Sequence, residues 1–288
     1  MKSEVFEISH SILSKKKIVK MKSTITMLGT GNAAVTKCYN TCFVITTPQT
    51  RLLVDAGGGN GVLSQLEKAN IPLKEIHHLF ITHAHTDHIL GCIWVVRMVA
   101  QAVTKGKYEG QLHVYGHDKS LQVLTDICRM TLPKKIIRQF GDVIVFREVK
   151  DGDSWQVEDM RLTCFDIQSA KEKQFGFQAL LPDGQLIVCL GDEPYKDVNE
   201  SYVRNADWML CEAFCLYKDR EQFKPYEKHH CTTMDVGKVA HKLQPKHVVV
   251  YHTEDTDLTQ RKERYSAEVR EAYSGDVQVP DDLEVIEL

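Results

Sequence analysis

Apolar residues along the chain recur with two periods. Runs of β-type residues at Thr24–Leu28, Thr41–Thr47 and Arg51–Val54 predict strands, and the spaced apolar positions of Val62–Ala69 predict a helix. His78–Thr82 then predicts a buried strand, His88–Val103 a mostly buried helix, Gln111–Tyr115 a strand and Ser120–Met130 a helix. In the second half, Val143–Phe146, Arg161–Phe165, Phe175–Leu181 and Gln185–Leu190 predict strands, the last two joined through the turn Pro182-Asp183-Gly184. Met234–Leu243 predicts a helix and the β-branched run His247–Tyr251 a strand. Strands grouped with helices on either side predict an α/β protein with two sheets packed face to face and helices outside. Residues 1–20 carry mixed charge and little periodicity, so they are expected to be an extension. No linker-like stretch interrupts 21–288, which are expected to form a single domain.

Composition narrows the class. Of 288 residues, 43% are hydrophobic and 26% charged, with 17 glycines and 8 prolines, which excludes disordered, collagen-like and low-complexity chains. A net charge of −3 leaves no sequence-wide basic field for holding nucleic acid. The longest apolar stretch, Ile89–Val96, falls far short of the ~20 residues a bilayer demands, so no membrane partner is expected. The basic cluster Lys15–Lys17 is followed by no apolar signal region, and a cytoplasmic location is the expectation. Nine scattered cysteines read as reduced thiols, and the pairs Cys38/Cys42 and Cys211/Cys215 have a three-residue spacing that favours core thiols over zinc ligands.

The segment that carries chemistry is Thr82-His83-Ala84-His85-Thr86-Asp87-His88. It follows a buried strand and opens a helix, with Thr86 the expected cap and Asp87 in the first turn. From extended backbone, His83 and His85 point the same way and can share one ion. Asp87 and His88, displaced by the start of the helix, can face a second. Four N/O donors in six residues suit a hard-to-borderline divalent metal. The plain alternative is a polar, His-rich surface loop in a chain with 13 histidines. Two strand ends add donors: Asp192, after Leu186–Leu190 and Gly191, could bridge two metals, and His252 caps His247–Tyr251. Each of these could instead be a strand-end polar residue that merely meets water.

With these residues in view, the chain resembles the metallo-β-lactamase fold superfamily, nearest to the ribonuclease Z-like hydrolases. The matching features are Leu28-Gly29-Thr30-Gly31, Leu53-Val54-Asp55-Ala56-Gly57, His83-x-His85-x-Asp87-His88, Gly191-Asp192 and Tyr251-His252. The resemblance implies a four-layer αβ/βα sandwich of two mixed β-sheets with a dinuclear centre at the sheet edge. It implies that His83 and His85 hold one metal, that Asp87, His88 and His252 hold the other, and that Asp192 bridges. Asp55 would sit behind as an orienting carboxylate. Two zinc ions are the implied cofactor, with manganese or iron as alternatives. One departure is visible: the family places a further histidine on the first metal, but no histidine lies between His117 and His229. The position falls near Phe165–Ser169, where Gln168 or Ser169 would replace it, and occupancy by one metal becomes an alternative.

The chemistry the resemblance implies is hydrolysis by water acidified to a pKa of about 7. Asp87 at the metal and His230 as proton donor to the leaving group are the candidate catalytic residues. His230 lies in Lys228-His229-His230-Cys231-Thr232-Thr233, which resembles a His-Ser/Thr-Thr segment of ribonuclease Z-like enzymes; alternatively this is a solvated loop in which Thr232 or Thr233 caps the next helix. Cys211 stands where the family has a histidine before Glu212, which puts a relay through Glu212 in doubt. Gly29-x-Gly31-x-x-Ala34 imitates a dinucleotide fingerprint but lacks the following helix, and Gly57-Gly58-Gly59-Asn60-Gly61 lacks the Lys-Ser/Thr of a phosphate loop.

The expected function is a phosphodiesterase-type metal-dependent hydrolase. The alternatives are a lactone or thioester hydrolase of the same fold, or a metal-depleted binding protein. The expected partner is a small-molecule or nucleotide-like ester. Transfer RNA is disfavoured because no Gly/Pro-rich arm is inserted, and the helix Ile89–Val103 could serve a homodimer interface as well as a core.

Overall fold

The computed structural model describes residues 22–288, so the expected extension over residues 1–20 lies outside the described residues. One sheet is built from β1 (Thr24–Gly29), β2 (Cys42–Thr46), β3 (Arg51–Val54), β4 (His78–Ile81), β5 (Leu112–Gly116) and β6 (Ile144–Glu148). The other is built from β7 (Ser154–Val157), β8 (Met160–Asp166), β9 (Phe175–Leu180), β10 (Leu186–Cys189), β11 (Trp208–Glu212), β12 (His247–Tyr251) and β13 (Asp276–Gln278). The last strand, β14 (Val285–Glu287), returns to the first sheet beside β1. The strand orders are β14-β1-β2-β3-β4-β5-β6 and β13-β12-β11-β10-β9-β8-β7. Each sheet is mixed: β3 through β6 run parallel in the first and β10 through β13 in the second, with antiparallel pairs completing both.

Helices α1 (Gly61–Lys68), α2 (Thr86–Thr104) and α3 (Asp118–Thr131) cover the outer face of the first sheet, while α4 (Thr233–Leu243) and α5 (Leu258–Arg270) cover that of the second. The alternation of side chains along a strand explains the layering. In β4, Leu79 and Ile81 join the cluster beneath α1 to α3, whereas Phe80 turns inward against the Phe177 ring and joins the cluster between the sheets that also holds Leu210 and Tyr251. This is the four-layer αβ/βα sandwich that the sequence predicts.

Several elements escape the sequence pattern. β11 is buried at every position, so its run Trp-Met-Leu-Cys-Glu has no alternation to read. The inward stripe of α5 is Arg261, Tyr265, Ser266 and Val269, half of it polar, and its mean character is hydrophilic. Arg261 is nonetheless buried because its guanidinium donates to Thr253 Oγ1 at 3.0 Å and to the Pro280 carbonyl at 2.9 Å. The start of α2 also differs: His85, not Thr86, is the N-cap residue, and its backbone is extended (φ −64°, ψ 151°). That extended step lets His83 and His85 share a side before the helix begins. Among the described residues no helix is long and apolar enough to cross a membrane.

Candidate metal centre

Strand ends from both sheets converge on one rim. β3 and β4 run out at Asp55 and at Thr82-His83, while β10, β11 and β12 run out at Gly191-Asp192, Glu212 and His252. β3 pairs parallel with β4, and β10, β11 and β12 pair parallel with one another, so their carboxyl ends share an edge, where open α/β sheets carry sites. Asp55 and His252 leave their strands in left-handed backbone, φ 53° and 57°, and Gly191 does so at φ 78°. For the two residues with a Cβ, such backbone costs of order 1–3 kcal/mol, a strain that clusters at functional sites.

The first turn of α2 is fastened to the β3 end. Ala56 N–H donates to the His88 carbonyl at 3.0 Å and Gly91 N–H to the Gly57 carbonyl at 2.8 Å. Only glycine fits at 91, because a Cβ there would lie 1.8 Å from the Ala56 carbonyl oxygen. Asp55, 3% exposed, then serves three groups: it accepts from Thr82 N–H at 2.9 Å, from Thr82 Oγ1 at 2.7 Å and from His88 Nδ1 at 2.8 Å. Asp55 thus ties Thr82 and the His88 ring to the end of β3.

Two donor groups sit side by side, His83 with His85 and Asp192, and Asp87 with His88 and His252. Asp192 joins them. Its Oδ2 lies 3.5 Å from His83 Nε2, 3.9 Å from His85 Nδ1, 3.7 Å from His88 Nε2 and 3.6 Å from His252 Nε2. Asp87 Oδ2 lies 3.4 Å from His252 Nε2 and 3.5 Å from His88 Nε2. Of these six residues only His85 is appreciably exposed.

The electrostatics of this cluster call for cations. Burial works against the Asp192 carboxylate, but His83, His85 and His252 outweigh it and hold its pKa well below the usual range. Asp87 is likewise held low, burial being outweighed by His88 and His252. Burial lowers His83, whereas at His88 the carboxylates of Asp87, Asp55 and Asp192 overcome burial and push the pKa up to about 10. His88 Nε2 has no hydrogen-bond partner and faces two carboxylates. A proton there offsets part of a buried negative charge that a divalent ion would offset more fully. Donor type, burial and this orphaned nitrogen all fit a metal centre.

Beside it lies a third group, Glu212, His230 and His252. Glu212 Oε1 accepts from Cys231 N–H at 2.7 Å, while its Oε2 has no hydrogen-bond partner and stands 3.7 Å from His230 Nδ1. Burial raises the Glu212 pKa well above the carboxylate range and lowers His230 to about 3, so the carboxyl holds the proton. Thr232 caps α4 through a full capping box with Asp235, while His230, buried, turns toward Glu212 and His252. A cavity of about 650 Å³ opens over these residues and is walled by Asn32, Lys171, Phe214, Lys228 and His229. Lys171 Nζ reaches to 3.4 Å from His230 Nε2, and Lys228 lies over the Phe214 ring. A second cavity, of about 640 Å³, lies between β5, β6 and β7 around His78, Tyr115, Arg147 and Trp155; none of the metal-donor groups found among the described residues lies there.

One expectation is corrected. Gln168 is exposed at φ 58°, with its carbonyl turned to Lys196, and Ser169 Oγ donates to Glu193 at 2.5 Å; neither joins a donor group. The amide that reaches the first group is Gln174, which sequence reasoning missed. A buried polar residue opening the apolar run Phe175-Gly176-Phe177 is its only sequence signal. Lys171 and Phe214 were missed too, since neither carries a motif.

The family described as Anti-Pycsar protein Apyc1 matches residues 23–272. A Ribonuclease Z from Prochlorococcus marinus strain AS9601 is 22% identical over 242 residues, spanning 67% of this chain and 76% of that protein. The Anti-Pycsar protein Apyc1 of Bacillus phage BSP38 is 44% identical over 68 residues, 23% of this chain and 26% of that protein. Among solved structures, the metallo-β-lactamase fold protein YhfI from Bacillus subtilis superposes with a TM-score of 0.76 at 17% identity, covering 93% of this chain and all of that one. The fold is therefore the metallo-β-lactamase fold, as the sequence motifs imply.

Proposed function

The chain belongs to the Anti-Pycsar protein Apyc1 family, and from that premise we propose that it is a metal-dependent phosphodiesterase acting on a small, nucleotide-like diester. The observation that carries this reading is the position of Asp192 Oδ2, within 3.5 to 3.9 Å of one nitrogen from each of four imidazoles, on the floor of a cavity bearing two lysines. His83, His85 and Asp192 would hold one ion, and Asp87, His88, His252 and Asp192 the other. Zinc suits these N/O donors best, with manganese or iron as alternatives. Such ions would supply Lewis-acid polarisation of a phosphoryl oxygen and acidify water toward a pKa of about 7.

The chain's own groups do the rest. The cavity, about 650 Å³, has the size of a small-molecule site. Lys171 and Lys228 would pair with an anionic diester, which favours a phosphodiester over a neutral lactone or thioester. Phe214 offers an apolar ring beside them. Glu212 would pass its proton to His230 Nδ1 as His230 Nε2 gives one to the leaving oxygen, so the pair loses one proton in all. A ribonuclease-like ancestry is compatible with this, but the absence of a Gly/Pro-rich arm in the sequence favours a small substrate over transfer RNA.

The test is turnover of bis(p-nitrophenyl) phosphate and of a dinucleotide by the chain loaded with zinc or manganese, beside a lactone and a thioester. Diester cleavage abolished by Asp192→Ala is the expected result. Cleavage of carboxylic esters alone would reject the reading.

A further inference from the structure

A buried amide stands against the back of the ligand group that is short of an imidazole. Gln174 immediately precedes β9, is 1% exposed, and ends the segment between β8 and β9. Its Nε2 donates to Asp192 Oδ1 and lies 2.8 Å from His83 Nδ1. These are the outer atoms of two of the three side chains in the first group. Their inner atoms, Asp192 Oδ2 and His83 Nε2, approach to 3.5 Å and face the centre.

The proton positions follow from the neighbours. Thr82 Oγ1 gives its hydrogen to Asp55 Oδ2 at 2.7 Å, so its lone pair is turned to His83 Nδ1 at 2.9 Å and accepts the proton there. His83 Nε2 is then an unprotonated donor aimed inward, the tautomer that metal binding requires. Turning the Gln174 amide over would set its oxygen against the Asp192 carboxylate, so the bond to Asp192 fixes its orientation. Gln174 Oε1 is left buried with no hydrogen-bond partner. A side chain retained only to fill space would not need that unsatisfied carbonyl, which a hydrocarbon of equal volume avoids.

We infer that Gln174 is a positioning residue for the first ion. It holds Asp192 by its outer oxygen so that Oδ2 points between the two donor groups. The second group has three side chains of its own besides Asp192, and the first has two. The first position therefore depends on Gln174 more than the second does. This inference rests on the metal reading proposed above.

Zinc titration of the full chain against a chromophoric chelator, with ions per chain counted by elemental analysis, reads the two binding steps separately. Gln174→Met keeps the volume and removes the amide. The expected result is a ~10- to 100-fold loss in the weaker step, as for other partners of metal ligands, with the tighter step changed far less. The unfolding temperature of the metal-free protein should stay within a few degrees of wild type. Unchanged zinc binding overturns the inference. So does a loss shared equally by both steps or matched by a fall in metal-free stability, since that marks a packing role. A wild-type chain that takes up no zinc, manganese or iron refutes the metal reading itself, and this inference with it.

Discussion

Replacing Glu212 by Gln separates the proton-donating role of this residue from its structural one. Glu212 is 1% exposed, its Oε1 takes the Cys231 N–H at 2.7 Å, and burial raises its pKa well above the usual carboxylate range, which favours the uncharged acid. A glutamine is also uncharged, keeps the bond to Cys231 through its carbonyl, and places its nitrogen where Oε2 now stands, 3.7 Å from His230 Nδ1. The folded state should therefore lose no more than about 1 kcal/mol. Glu212→Ala, by contrast, leaves the Cys231 N–H unpaired and should cost about 1–3 kcal/mol or more. The amide cannot give up a proton as the acid can, and loss of general-acid catalysis costs about 10²–10⁴ in rate, roughly 3–5 kcal/mol of barrier. That loss should appear only where the leaving oxygen needs a proton. Turnover of a dinucleotide should fall by the full factor, whereas a p-nitrophenyl diester, whose leaving group departs as the anion, should fall less than about tenfold. The wild-type rate on the dinucleotide should also decline as pH rises past the point where the Glu212–His230 pair gives up its proton, a limb absent from the variant. Equal losses on both substrates, or none on either, would refute the relay.

Further outcomes can be checked directly. Chelation of the metals should lower the unfolding temperature, and restoring zinc at a hundred times its dissociation constant should return about 2.7 kcal/mol, read by thermal melts; a melting point indifferent to zinc would count against the centre. Gly91→Ala drives a methyl to 1.8 Å from the Ala56 carbonyl, so α2 must shift away from the Asp55 loop; we expect a loss of about 1–3 kcal/mol or more in denaturant melts, together with weaker metal binding. Burial lowers the pKa of His78 from 6.5 to about 4, so its contribution to stability is full above pH 6.5 and is lost as pH falls toward 4. Wild type should therefore lose about 2 kcal/mol by pH 5 from this group, and His78→Gln should show a correspondingly flatter pH dependence in urea melts.

The readable parts of the sequence are those where local order and function coincide. His83, His85, Asp87 and His88 lie within six residues after a strand buried at all four positions, so spacing alone brings them together. Asp192 and His252 were legible because each stands at the carboxyl end of an apolar run, and parallel pairing of β10 with β11 and β11 with β12 carries those ends to one rim. Glu212 sits at the end of a strand the pattern did not reveal, and its approach to His230 depends on β11 being inserted between β10 and β12. What β11 lacks is contrast: a strand covered on both faces has no polar alternate to mark its period.

Gln174 was illegible for a different reason, and it explains why Gln168 was the wrong position to examine. Counting along the chain finds the residue that follows β8, but in the fold that place is a turn. Gln168 adopts left-handed backbone there, and its N–H is taken by Asp166 Oδ1 at 2.7 Å, which sends the side chain out to solvent. The segment then travels across the rim, tied to α3 by Lys119–Glu172 and Lys173–Asp118 at 2.5 Å each and to the loop after β10 by Ser169–Glu193. These ties fix where the chain re-enters the sheet, with Phe175 N–H on the Thr82 carbonyl at 3.0 Å, so the residue just before it lands behind His83. Which glutamine meets the centre is thus decided by surface ion pairs and a register to β4, long-range facts that no window of the sequence contains. Glu172→Ala or Asp118→Ala alone should each matter little, as exposed pairs contribute about 0–1 kcal/mol. Removing both should loosen the segment ahead of β9 and weaken zinc binding in the same step as Gln174→Met. Weakening of the other step would mean that the ties act elsewhere.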